Sequence, residues 1–316
     1  MKKFILLLML VSGLGYSCTH AEGEKKGNTE TPFEVPKGNL AFCDPVQGAP
    51  TDPVMVWNHK EKKWFIYYTQ RRGYLEMDDP QSVEWVHGTS VGIASSPDGK
   101  EWTYRGTCKG DEGMSNDPVS TSWWAPEVIS VDNTFHMYVT NVPGVFKTWN
   151  APRFIKHFTS EDGINWKYQS TLSLSSKSCI DAGVHKVGDK WYLWYKDETQ
   201  DAGRTWFAES PDLYNWKVVG PAITDRVHEA PFVWEYDNKY WMIVDTWGDG
   251  SRIYKSDDGL TNWTYSCNIW APHPAIYIIN DKLYVVHHNG INRTKLSVIQ
   301  IAELEYKNGI FIKKEK

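Results

Sequence analysis

The chain has 316 residues, 23% of them charged, with a formal net charge of −5. That length supports one large domain with a sizeable core. The acidic balance, with no basic stripe interleaved with aromatics, argues against nucleic-acid binding. Aromatic residues make up 14% of the chain, 17 of them Trp, a bias shared by all-β and sugar-binding proteins that does not choose between them.

The chain opens with "MKKFILLLMLVSGLGYSC", two lysines followed by an apolar run and small residues. This pattern predicts a signal peptide over residues 1–17, because the apolar run is too short for a permanent membrane span. Ser17-Cys18 resembles the end of a lipobox, so Cys18 is expected to become a lipidated N-terminus, with plain secretion as the alternative. Residues 18–38 then form a polar tether broken by Gly and Pro. The protein is expected in the periplasm or on the outer membrane or surface of a bacterium, as a monomer touching the membrane only through its lipid. Cys43, Cys108, Cys179 and Cys267 remain. They fit no metal spacing and are open to disulfide pairing or to burial as free thiols.

Residues 39–316 contain a repeat. "SPDGKEW" (96–102), "SEDGINW" (160–166), "SPDLYNW" (210–216) and "SDDGLTNW" (256–263) each combine Ser, a turn built on Asp and a Trp. Such segments read as hairpin turns closing on an aromatic. Upstream of each lies an apolar strand, a polar turn and an aromatic-rich strand, as in "VMVWNHKEKKWFIYYT" and "FVWEYDNKYWMIVD". A fifth copy, "AIYIINDKLYVVHH", continues into "LSVIQIAELE" and "GIFIKK". Five four-stranded meanders predict an all-β fold, a five-bladed β-propeller with antiparallel blades around a central channel. The last unit supplies its own four strands, leaving "NLAFCD" (39–44) free to pack against it.

In a propeller the first strand of every blade lines the channel, so their starting residues converge on one mouth. Aligning the repeats by their turns places Asp52, Trp124, Asp181, Glu229 and His273 at equivalent positions. Crowded carboxylates repel one another and cost free energy, which marks such a cluster as a functional site. Two carboxyl groups across a pocket suit glycosidic cleavage, one protonating the leaving oxygen and the other activating water. A third acid nearby would raise the pKa of the proton donor.

With "TDPV", "WAPEV", "IDAG" and "HEAP" in successive blades, residues 39–316 resemble glycoside hydrolase family 43 or a closely related family of five-bladed propeller glycosidases. The resemblance implies an arabinofuranosidase- or xylosidase-like enzyme acting on plant-type or other complex glycans, with inversion. By it Asp52 is the general base, Asp181 the pKa modulator and Glu229 the general acid. It requires no cofactor and implies no metal ligand set, although an ion or ordered water near His273 is compatible with it. Two features depart from the family pattern: Ala182 follows Asp181 where proline is usual, and "PHPAI" replaces a Gly-His-Asn segment in the fifth blade.

Other readings stay open. Trp124 with Trp123 is a sugar-stacking platform or inter-blade core, and His273 binds substrate or channel water. Glu127 is expected in a structural salt bridge, and His228 should point away from the acid. "HHN" (287–289) reads as loop packing first and a subsite second. Arg71, Arg72 and Arg204 read as solvated loop charges. The Asp-containing turns lack the further oxygen ligands of a calcium loop. Two rival functions are a non-catalytic surface glycan-binding propeller, which should have lost channel acids, and a retaining fructan-type propeller glycosidase. The latter usually carries Arg-Asp-Pro where this chain has Cys179-Ile180-Asp181.

Overall fold

The computed structural model describes residues 31–114, 120–199, 204–291 and 294–314. Cys18, the signal segment and most of the tether lie outside the described residues. Five antiparallel sheets form the blades of a five-bladed propeller. Blade I contains Gly48–Asn58, Lys63–Arg72, Ser90–Ser96 and Thr103–Thr107. Blade II contains Ser122–Val131, Thr134–Val142, Phe154–Ser160 and Asn165–Thr171, and Lys109–Gly110 adds a short parallel edge. Blade III runs through Cys179–Val187, Lys190–Asp197, Arg204–Ser210 and Lys217–Ile223. Blade IV runs through Glu229–Tyr236, Lys239–Asp245, Ser251–Ser256 and Thr264–Ile269.

Blade V contains Ala275–Ile279, Lys282–Gly290 and Ser297–Lys307, and its fourth place is shared. Ile310–Lys313 pairs with one half of Ser297–Lys307, and Leu40–Phe42 from the start of the domain pairs with the other half. The "NLAFCD" segment therefore does more than pack: it ties the two ends of the propeller into one sheet.

Apolar residues on facing blades fill the gaps between sheets. Leu193 and Tyr195 meet Tyr138 between blades II and III, and Trp241 and Ile243 meet Val285 and Phe311 between IV and V. The repeated turns dock the blades. In blade II, Ser160 Oγ accepts the Gly163 amide at 2.9 Å and Asp162 Oδ1 accepts the Ile164 and Asn165 amides at 2.8 Å. Tyr67 of blade I donates to the Gly163 carbonyl at 2.7 Å, and Tyr138 of blade II donates to Leu213 at 2.6 Å. The turn needs a left-handed residue, supplied by Gly99, Gly163 and Gly259 but by Leu213 in blade III. Cys43, Cys108, Cys179 and Cys267 are free thiols.

Candidate active site

Each of the first four blades enters its first strand through a β-bulge, between Thr51 and Val54, Trp124 and Glu127, Ile180 and Gly183, and Glu229 and Phe232. The residues after the bulge onset, Asp52, Ala125, Asp181 and Ala230, have φ of 54°, 44°, 57° and 54°, and His273 matches them at 47°. Left-handed backbone at non-glycine residues is uncommon, and its repetition around a channel marks a site under constraint. The five predicted mouth residues thus occupy two registers. Asp52, Asp181 and His273 are equivalent, whereas Trp124 and Glu229 each come one residue earlier. Bulges shift the register in a way that turn-based alignment cannot register.

A second ring of side chains holds the first. The bulge amide of one blade donates to a side chain at the end of the second strand of the preceding blade. Ala125 N donates to Thr69 Oγ1 at 2.8 Å, Asp181 N to Thr140 Oγ1 at 3.2 Å, His273 N to Asp245 Oδ2 at 2.8 Å and Asp52 N to His288 Nδ1 at 3.3 Å. In blade III that place belongs to Lys196, the register partner of Ile180. An ammonium cannot accept a hydrogen bond. Asp181 Oδ2 accepts the Ala230 amide instead, at 3.3 Å, and Lys196 Nζ turns to Glu229 Oε2 at 3.1 Å.

These residues line a cavity of ≈ 600 Å³ at one end of the channel, with Asp52, Asp181, Glu229, His273 and Trp124 all on its wall. Asp52 is 2% exposed. Arg71 Nη2 approaches its Oδ2 at 3.2 Å and His273 Nδ1 its Oδ1 at 3.3 Å. Burial alone would raise its pKa, but Arg71, His273 and His288 outweigh burial and hold it well below the carboxylate range. Glu229 is gripped at both oxygens: Lys196 at one, and Trp247 Nε1 at the other at 2.9 Å. Lys196 outweighs burial there and lowers Glu229, whereas burial and Glu229 itself push Asp181 up to about 7. His273 is raised: burial opposes its charge, but Asp52, Asp181, Glu229 and Asp245 prevail.

The expected aromatic platform is half present. Trp124 lines the cavity and donates through Nε1 to the Val86 carbonyl at 2.6 Å. Trp123 does not share it: its indole is fully buried against Phe158, because strand alternation turns it into the seam of blades I and II. Among the described residues Glu127 makes no salt bridge, contrary to expectation. It is 3% exposed, accepts the Val184 amide at 3.3 Å, and burial raises it to about 8. His228 points away from the site as expected, donating from Nδ1 to the Arg226 carbonyl at 2.8 Å and accepting the Thr205 amide at Nε2.

Arg71, expected in solvent, and His288, expected in loop packing, instead face Asp52, and Lys196, Asp245 and Trp247 join them on the cavity wall without a motif to mark them. Lys196, Asp245 and His288 hold equivalent places at the ends of second strands, in "LWYKDE", "MIVDTW" and "VVHHNG", and Arg71 lies two residues beyond their blade I counterpart Thr69 in "YYTQRR". Arg72, by contrast, is spent on the carbonyls of His87 and Glu84 at 2.7 and 2.6 Å. Asp181, Glu229 and His273 offer ligand atoms within 4.8 Å of one another. That spacing would suit a cation, but Lys196 already neutralises Glu229 and His273 is itself drawn toward the charged form, so the set is poorly fitted to one.

The fold recurs in known enzymes. A thermostable family-43 glycoside hydrolase superposes with a TM-score of 0.68 at 19% identity, over 87% of this chain and 96% of that one. A family-43 β-xylosidase/α-arabinofuranosidase from a compost metagenome, in complex with xylotriose, gives 0.68 at 18%, covering 88% and 98%. The family-32 β-fructofuranosidase of Bombyx mori gives 0.65 at 15%, covering 88% and 65%. In sequence, the chain is 24% identical over 173 residues to a sucrose-6-phosphate hydrolase of Bacillus subtilis (strain 168), covering 48% of this chain and 34% of that enzyme. The chain thus matches about a third of the length of that relative. No protein-family model matches the chain.

Proposed function

We propose that the protein is an exported glycoside hydrolase of the family-43 type, cleaving glycosidic bonds in complex glycans with inversion. The observation that carries this reading is the electrostatic division of three carboxyl groups in one cavity. Asp52 is kept ionised by Arg71, while beside it burial and Glu229 raise Asp181 and Lys196 lowers Glu229. Catalytic acids and bases are recognised by environments that push their pKa values apart.

In the reaction Asp52 removes a proton from water as the water oxygen bonds to the anomeric carbon. The glycosidic C–O bond breaks, and the leaving oxygen takes a proton from Glu229. A sugar seated over Glu229 displaces water and disfavours its charged form. Lys196, already 3.2 Å from Glu198 Oε1, has a second carboxylate to hold it as Glu229 is neutralised. The xylosyl and arabinofuranosyl activities named for the structural neighbours are the first substrates to try.

The sequence match to a sucrose-6-phosphate hydrolase favours a second reading, a fructan-type enzyme in which Asp52 is the nucleophile. A screen with aryl xylosides, aryl arabinofuranosides, plant oligosaccharides and sucrose separates the two. Activity on none of them, with the Asp52→Asn variant still binding glycans, would leave only a binding propeller. Lipid anchoring at Cys18 is tested by membrane fractionation of wild type and Cys18→Ala; equal partition into the soluble fraction would refute it.

A further inference from the structure

Trp149, Trp247 and Trp270 all line the cavity, yet they remain 54%, 44% and 53% exposed. Single exposed aromatics need no explanation, but a group rimming one concave site does. Each is fixed at its backbone although its ring is left partly in water. Arg153 donates from Nη2 to the Trp149 carbonyl, Lys313 Nζ donates to the Trp270 carbonyl at 2.6 Å, and the Trp247 amide donates to Asp245 Oδ1 at 2.7 Å. Trp247 also holds a left-handed φ of 56°, a strained choice for a bulky residue. Lys196 lies 5.2 Å from the Trp247 ring centroid, which helps to fix the ring. Aromatic side chains already anchored at a concave site are a surface for ligand, since they lose little freedom on binding.

The charges of the cavity say what kind of ligand. Among the described residues, the three Lys and Arg side chains on its wall each face a carboxylate: Arg71 faces Asp52, Arg153 faces Glu198 at 2.6 Å, and Lys196 faces both Glu198 and Glu229. An acidic sugar would have to compete with these pairs, whereas the C–H faces of a neutral sugar ring suit indoles. We propose that Trp149 on the blade II side and Trp270 on the blade IV–V side are outer subsites and that Trp247, which touches Glu229, is an inner one, together gripping a neutral oligosaccharide of three or more rings. The cavity, at ≈ 600 Å³, has room for more than a single ring. This deepens the hydrolase reading, although the binding itself requires no catalysis.

The test uses calorimetric titration of an Asp52→Asn variant with xylotriose, arabinotriose and 1-kestose, and with xylose, arabinose and fructose. At least one trisaccharide should bind. Adding Trp149→Ala or Trp270→Ala should weaken it roughly five- to tenfold, against about twofold or less for the matching monosaccharide. Trp149→Phe should restore most of the loss. Equal weakening of mono- and trisaccharide, no weakening, or no binding of any trisaccharide overturns the subsites. Wild-type turnover separates the two claims. Hydrolysis with tryptophan-independent binding removes the subsites alone, and tryptophan-dependent binding without hydrolysis removes the hydrolase reading alone.

Discussion

Lys196 Nζ meets Glu229 Oε2 at 3.1 Å because Lys196 occupies the one place in a ring of five where the side chain cannot accept a bulge amide. Thr69, Thr140, Asp245 and His288 fill that role in the other blades. One substitution in a repeated pattern thus delivers a cation to the candidate acid. Removing it should raise the pKa of Glu229, since a neighbouring positive charge favours the ionised form. Lys196→Met should therefore move the alkaline limb of the pH–rate profile to higher pH by about one unit or more. Carboxyl carbon-13 NMR of Glu229, assigned by its loss in Glu229→Gln, would show the same displacement without needing turnover. An unmoved titration would mean that the ion pair does not control the acid.

Asp181 should tune the reaction without transferring the proton to sugar. Asp181→Asn mimics its protonated form and keeps an oxygen to accept the Ala230 amide. Above about pH 7, where Asp181 itself ionises, the variant lacks a negative charge beside Glu229. Glu229 should then lose its proton more readily, and the alkaline limb should move down. A profile superimposable on wild type would remove Asp181 from the mechanism.

Glu127 provides a stability measurement separate from catalysis. Its folded pKa is raised from 4.5 to about 8 by burial, with the Val184 amide only partly offsetting this. Between those values the unfolded chain releases the proton and the folded chain keeps it, so the unfolded state binds fewer protons and stability falls as pH rises. The slope is on the order of 1.4 kcal/mol per pH unit for a fully shifted group. Glu127→Gln retains an acceptor for Val184 and cannot ionise. Thermal melts should show the variant more stable than wild type by a few kcal/mol at pH 7.5, and the two should match near pH 4. A difference independent of pH would show that packing, not ionisation, separates them.

The repeats made the blades legible, because Ser, Asp and Trp recur where each turn docks on its neighbour, as Tyr67 on Gly163 shows. The first-strand acids were legible for the same reason. What escaped was set by geometry that repetition hides. The bulges displaced Trp124 and Glu229 by one residue from Asp52 and Asp181, and alternation then buried Trp123. Arg71 read as a loop charge because its partner Asp52, 19 residues away, faces it only across the paired strands. Blade V shares its edge with Leu40–Phe42 through a pairing over more than 250 residues, which no local pattern announces.

Hydrolysis should invert the anomeric carbon. Asp52 opens blade I and Glu229 opens blade IV, so two blades separate them on one side of the ring and one on the other, and Asp181 in blade III adjoins Glu229. Inverting pairs need roughly 6.5–9.5 Å between carboxyl groups to seat a water, and retaining pairs about 5–5.5 Å. Asp52 also lies beneath Arg71, His273 and His288, an environment that keeps it ionised across the working range, as a base requires. Proton NMR of the first product formed, before mutarotation, reads the outcome directly. Asp52→Asn should cut the rate by about 10²–10⁴-fold while leaving the Glu229 titration in place. Retention would make Asp52 a nucleophile and favour the fructan-type reading. Inversion at full rate in Asp52→Asn would mean that the water is activated elsewhere in the cavity.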